Sequence, residues 1–489
     1  MKPLLVSFAA LLLFACSGGS GSAPPDQAKG IHEVPITSKS PEAIDHYKRG
    51  RDFADNFRLP EATEEFEAAL KLDPDFVAAH VSHGNMTQAP EGLQEMERAN
   101  EQAAALPEAE RVQIEAVMAG RRGEFAKSLA LWKQVTDAVP DDWHAHSYFG
   151  AQLVLAGNYD QAINELNKAT ARNPAAGAAY NMLGYAHLQK GDPDAAVESF
   201  RQYIRVAPSE PNAQDSFGEA LMTGGKLAEA EEAFRKAISL SSNFGGAWQG
   251  VAYTRFFAGD STAGNTALDS ARAVASGPRD TVDADTIAGL AALGEGKMAE
   301  GLKHLDDIEK ASDASTADKT SASMYRAVAL VDESRYRDAL PQIAKALQVI
   351  DEGKLPPAPA NNMRRLALTV RAAAEGRMGD AAAAAKTLSE LETAAAARPD
   401  DPLLLSAVHM ARGMLAAAQK NLKSTHDHFD QCLNQDAYCH WQAFLVSRKA
   451  GDGSSADAAR ARLTKAYLRD PVYLYARLAL KRMSPKQSD

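Results

Sequence analysis

The chain has 489 residues, of which 45% are hydrophobic, 24% charged and 7% aromatic, an ordinary globular balance. Its formal charge is −11, and no short window is rich in Lys and Arg. This argues against nucleic acid or an anionic membrane surface as the main partner. Length alone predicts about three domains. An internal repeat changes that expectation, because a solenoid grows by adding units rather than separate cores.

The chain opens on Met1-Lys2-Pro3, continues through the apolar run Leu4 to Phe14 and ends this segment at Ala15-Cys16. A basic start, a short apolar core and a small residue before the cut predict a secretory signal over residues 1–15. The run is too short to span a bilayer as a permanent helix. The ending Leu13-Phe14-Ala15-Cys16 resembles the bacterial lipobox, which implies that Cys16 becomes the lipidated first residue. Ser17 behind it resembles lipoproteins sorted to the outer membrane, which implies a lipid-anchored protein on its periplasmic face. Loss of the signal removes Lys2, so the mature charge is −11 − 1 = −12. Residues 16–40, rich in Gly, Ser and Pro, are expected to form a disordered tether.

Folding is expected to begin at Pro41, with a first unit marked by Gly50, Phe53, Ala62, Phe66, Ala69 and Pro74. Residues 77–108 are degenerate, interrupted by Pro90 and Pro107, and residues 109–142 fit through Gly123, Phe125, Trp132 and Pro140. The pattern then becomes regular. Gly150, Gly184 and Gly218 stand 34 residues apart, followed by Gly157, Gly191 and Gly225, then Ala162, Ala196 and Ala230, then Leu166, Phe200 and Phe234. Pro174 and Pro208 close the first two units, and Ser242 stands at the third closing position. Such a period reads as helix pairs that cannot bury their apolar faces alone and therefore stack. The small residue at Gly184 allows close helix approach, and the large residue at Phe200 fills the gap.

The pattern resembles the tetratricopeptide repeat (TPR) family, through Tyr180, Leu183, Gly184, Gly191, Ala196, Phe200 and Pro208 in one unit. The expected fold is an all-α TPR-type solenoid of about eleven or twelve helix pairs. A regular block is expected over 41–276, degenerate units over 277–354, a C-terminal TPR-like block over 361–483, and a loose tail over 484–489. Leu355-Pro356-Pro357-Ala358-Pro359 reads as an extended break between them. Residues 472–483 read as a terminal capping helix with one polar face.

No metallopeptidase His-Glu-x-x-His, no Gly-x-Ser-x-Gly elbow and no phosphate-cradling glycine loop occurs, so no catalytic residue, metal or cofactor is expected. Cys432 and Cys439, the two cysteines besides Cys16, read as a disulfide across a turn between helices. Two alternatives stay open: free buried thiols, or a metal site drawn from His426, His428 and His440 with the cysteines. His428 and Cys432, four apart, are expected on one helix face.

The TPR resemblance implies a concave face lined by the first helix of each pair, where a protein or peptide partner docks. The residues expected to hold it are Asn181, Tyr185, Asp215, Glu219, Tyr253 and Phe256, aromatics for contact area and acids for a basic ligand. The expected function is a non-catalytic scaffold lipoprotein of the bacterial envelope. A glycan-capturing outer-membrane lipoprotein, or an accessory subunit of an envelope enzyme, is the alternative.

Overall fold

The computed structural model describes residues 32–87, 90–355, 357–399 and 401–483. The expected signal, the lipidated Cys16 and the tail 484–489 lie outside the described residues. Among the described residues there are 25 α-helices and no strand. Contacts group the chain into two units, residues 1–220 and 221–489.

Unit 1 contains five complete pairs: Pro41–Asp55 (α1) with Leu59–Leu72 (α2), Val77–Met86 (α3) with Glu91–Asn100 (α4), Glu108–Arg121 (α5) with Phe125–Ala138 (α6), Trp143–Leu155 (α7) with Tyr159–Arg172 (α8), and Gly177–Lys190 (α9) with Pro193–Val206 (α10). The division falls within Pro211–Thr223 (α11). Unit 2 continues with Leu227–Leu240 (α12) and six pairs. These are Gly245–Ala258 (α13) with Ser261–Ala273 (α14), Pro278–Gly294 (α15) with Met298–Lys310 (α16), Thr316–Asp332 (α17) with Tyr336–Asp351 (α18), Pro357–Met378 (α19) with Ala381–Ala397 (α20), Pro402–Ala418 (α21) with Leu422–Phe429 (α22), and Ala437–Ala450 (α23) with Gly453–Thr464 (α24). Pro471–Met483 (α25) ends the described chain.

The repeat chemistry explains this order. A Cβ added at Gly184 would fall 2.5 Å from the Phe200 ring, so only glycine lets α9 approach α10 this closely. The ring itself is fully buried, as are its counterparts Phe66 and Phe234. Turns between paired helices use a left-handed residue, glycine at Gly157, Gly191, Gly225 and Gly259. After Gly191, Asp192 accepts the Ala195 N–H and Pro193 occupies the first helical turn, which starts α10. The same left-handed turn is carried by Phe57 in the first unit and, where the pattern fades, by Ser334 and Lys420.

Three expectations are corrected by the fold. The extended break at 355–359 is shorter, because α19 begins at Pro357: proline is accommodated in a first helical turn, where its missing N–H has no partner to lose. The terminal helix lacks a polar face. Tyr473, Leu474, Tyr475, Ala476, Leu478, Ala479 and Leu480 are all buried, and only Lys481 and Arg482 at its end are exposed. Residues 32–40, expected in the disordered tether, are held against unit 1 through Val34, which is buried, and through backbone hydrogen bonds.

Unit 2 is organised around one buried carboxylate. Asp332, the last residue of α17, accepts hydrogen bonds from Trp441 Nε1 at 2.6 Å, Gln442 Nε2 at 2.9 Å and Tyr475 Oη at 2.8 Å. Arg377 of α19 completes the set, 3.1 Å from the carboxylate and 3.3 Å from the Asp332 carbonyl oxygen. Burial raises the Asp332 pKa, and the Arg377 charge with the three neutral donors opposes that rise. Four helices, α17, α19, α23 and α25, are thereby joined through one side chain.

Candidate partner-binding surfaces

The six side chains expected to grip a partner, Asn181, Tyr185, Asp215, Glu219, Tyr253 and Phe256, are all buried. Tyr185 shares a 3.1 Å hydrogen bond with Ser216 Oγ and meets the Phe200 ring edge-on at 5.3 Å. Tyr253 lies 6.1 Å from Phe257. Burial pushes the Tyr253 hydroxyl pKa well up, as expected of a phenol held away from water. Phe256 fills the space left by Gly264, where a Cβ would fall 2.9 Å from its ring. None of the six offers an open contact face.

In unit 2 the face carrying Phe257 is covered from within. Tyr467 and Tyr473 meet the Phe257 ring edge-on at 5.2 and 6.2 Å, and α25 crosses α15 so closely that a Cβ on Gly294 would fall 2.7 Å from the Tyr475 carbonyl oxygen. Arg469, just before α25, lies 5.7 Å over the Phe234 ring and donates to the Gly246 carbonyl oxygen.

Cys432 and Cys439 are joined by a disulfide, and both are buried. Helix α22 ends at Phe429, so Cys432 stands in the following turn rather than on a helix face shared with His428. Asp436 caps α23 by accepting the Cys439 N–H at 3.0 Å, and it accepts the Ser406 hydroxyl at 2.6 Å. The three nearby histidines diverge. His426 faces Ser447 and Ser455, His428 faces His409, and His440 bonds the Leu433 carbonyl oxygen. Among the described residues, no group of three or more His, Cys, Asp or Glu could hold a metal ion.

A different surface takes shape in unit 1, where residues 33–39 lie across Asp142 at the N-cap of α7, Glu110 in the first turn of α5 and Asp73 at the C-cap of α2. The Val34 N–H donates to Asp142 Oδ2 at 2.9 Å. The Thr37 N–H and hydroxyl donate to the two oxygens of Glu110 at 3.1 and 2.6 Å. The Lys39 N–H and Ser38 hydroxyl donate to Asp73 Oδ2 at 2.8 and 2.5 Å. Beneath the segment, Tyr47, Arg51, Ala78, Gln113 and Ile114 form a floor around Val34 and Ile36, with a residual cavity of about 10 Å³, room for a single water. Burial raises the Glu110 pKa, while its bonds from Thr37 oppose the rise. Residue pattern alone misses this surface, since the bonds come mostly from backbone N–H groups, which every residue except proline carries.

Deeper in unit 1, His144 sits 3.6 Å from Asp55 and 3.4 Å from Asp142. Burial drives the imidazole pKa well down and the Asp55 pKa well up, so each tends to its neutral form, with the buried Arg51 charge pushing the imidazole further down and opposing the rise at Asp55.

Residues 153–211 and 187–243 match the family model for the tetratricopeptide repeat. The chain carries tetratricopeptide repeats. A curated relative, small glutamine-rich tetratricopeptide repeat-containing protein 2 of Mycosarcoma maydis, is 29% identical over 91 residues, 19% of this chain and 26% of that protein. The chain thus spans about a quarter of the length of that relative. Solved structures similar to it include a crystal structure of MamA, 21% identical over 32% of this chain and 93% of that one, TM-score 0.30. MamA 41-end from Desulfovibrio magneticus RS-1 is 19% identical over 34% of this chain and 94% of that one, TM-score 0.32.

Proposed function

We propose that the protein is a non-catalytic scaffold that binds protein or peptide partners at the bacterial cell envelope, anchored through an acylated Cys16 to the periplasmic face of the outer membrane. The observation that carries the scaffold reading is the tetratricopeptide stretch over 153–243, since stacked helix pairs are rigid surfaces for docking rather than sites for bond-breaking chemistry. The lipobox-like ending Leu13-Phe14-Ala15-Cys16 supports the anchor. Among the described residues, no helix is long and apolar enough to cross a membrane. The glycan-capturing alternative is less favoured, because three of the four tryptophans, Trp132, Trp143 and Trp441, are buried and cannot stack on sugars, which leaves the half-buried Trp248 alone.

One experiment addresses both halves. Wild type and Cys16→Ser are expressed with a radiolabelled fatty acid, and the detergent-solubilised envelope is captured on an affinity tag and identified by mass spectrometry. The expected result is label on wild type alone, together with protein partners enriched over an untagged control. Equal label on both forms removes the anchor. Reproducible capture of no protein removes the scaffold.

A further inference from the structure

Residues 33–39 sit on unit 1 as an extended ligand would, and two of the three acceptors that hold them also make bonds independent of them. Asp142 uses Oδ1 to cap α7, accepting the His144 and Ala145 N–H groups at 2.9 and 3.1 Å, which leaves Oδ2 turned to the segment. Asp73 likewise spends Oδ1 on the Asp75 N–H at 3.2 Å and offers Oδ2 to Ser38 and Lys39. Glu110 belongs to the first turn of α5. Asp142 and Asp73 are therefore held by bonds of their own, and Glu110 is placed by its position in α5, with Thr37 as the partner of both its oxygens.

The segment is held by its five hydrogen bonds to Asp142, Glu110 and Asp73, by Lys39 Nζ on Asp75 at 2.5 Å and by a single apolar anchor. Val34 is its one buried side chain, whereas Glu33, Thr37 and Lys39 are exposed. Ser40 caps α1 with its own hydroxyl, accepting the Ala43 N–H at 3.2 Å, so the segment can leave at Ser40 without unwinding that helix. Pro35 presets an extended backbone between the aliphatic Val34 and Ile36, and it lacks the N–H that this stretch does not use. Preset acceptors, an aliphatic floor and an occupant with one buried side chain, joined to the helices at Ser40, are the components of an exchangeable site.

We propose that this face of unit 1 is a groove for an extended segment of a partner protein, with the chain's own residues 33–39 as its resident competitor. The inference rests on the scaffold reading and names the partner's chemistry. The ligand carries two aliphatic residues flanking a proline, then two hydroxyl residues, with free backbone N–H groups where Val34, Thr37 and Lys39 have theirs. Specificity comes from the aliphatic pair and the hydroxyls, and the backbone bonds fix register. Because the resident segment is covalently attached, its effective concentration is on the order of millimolar, and an outside ligand binds only by outcompeting it.

The test titrates a fluorescein-labelled nonapeptide with the sequence of residues 32–40 into the full chain. Release of the resident by Val34→Asp with Ile36→Asp should expose saturable binding, about tenfold or more tighter than to wild type. The milder Val34→Ala, which only trims the anchor, should fall between the two. Adding Glu110→Ala to the released chain should weaken the peptide about tenfold. Absence of binding to a released chain that keeps its helical melting transition overturns the groove, as does equal binding to wild type. If the double Asp variant fails to fold, Val34→Ala decides alone, and no gain over wild type overturns the proposal. A wild-type dimer in sedimentation that Val34→Ala dissociates also overturns it, by giving the groove to a second copy. If peptide binding fails while partners are still captured from the envelope, the scaffold stands and only this groove falls.

Discussion

Asp332→Ala should destabilise unit 2 by about 3–5 kcal/mol, the largest effect expected from any single substitution here. Removing the carboxylate strands the buried Arg377 guanidinium without its counter-charge. It also leaves the Trp441, Gln442 and Tyr475 donors without their acceptor. Each unsatisfied buried polar group costs about 1–3 kcal/mol, so the losses accumulate until the site admits water or the helices part. Asp332→Asn should cost less, since its amide oxygen still accepts while the charge pairing is lost. The network predicts strong coupling: the double variant Asp332→Ala with Tyr475→Phe should lose about 1 kcal/mol or more less than the two single losses added. Urea unfolding of the full chain, followed by fluorescence, reads these differences. A loss below about 1 kcal/mol for Asp332→Ala would show that the four helices hold together without it.

The second large effect is expected from ending the chain at Asp470. Deleting α25 uncovers Phe257 and Trp441, which pack against Tyr473 and Tyr475, and removes one of the Asp332 donors. Burial of Leu474, Leu478 and Leu480 alone contributes about 1.5–3 kcal/mol per side chain, part of it offset by the entropy of ordering the helix. A net loss of several kcal/mol should lower the unit 2 transition by about 10 °C or more in calorimetry. Unit 1 has its own core, so its transition should move little. Unchanged melting would mean that α25 is an appendage rather than part of the unit 2 core.

The local part of this fold was legible in the sequence, and the non-local part was not. Gly184 with Phe200, and the left-handed turns at Gly157, Gly191 and Gly225, are short-range requirements of a helix pair, so they recur every 34 residues and can be read directly. The later turns at Ser334 and Lys420 meet the same backbone requirement without glycine, and the pattern fades there although the helices continue. Asp332 finds its partners 45 to 143 residues away, a pairing no periodicity announces. Asp215 and Glu219 read as exposed acids because carboxylates usually are, yet both are buried. Glycine, serine and proline made residues 16–40 look like tether throughout. The end of that stretch is held because its backbone meets carboxylates contributed by residues far along the chain.

The most direct test of a partner-binding scaffold is hydrogen-exchange mass spectrometry of the full chain with and without a partner captured from the envelope. The account predicts slowed exchange at residues 73–78, 108–114 and 142–147, which carry the acceptors and floor beside the segment, with faster exchange at residues 33–39 as the resident leaves. Unchanged exchange at these segments with protection elsewhere would contradict the unit 1 groove, and protection nowhere would contradict the scaffold itself.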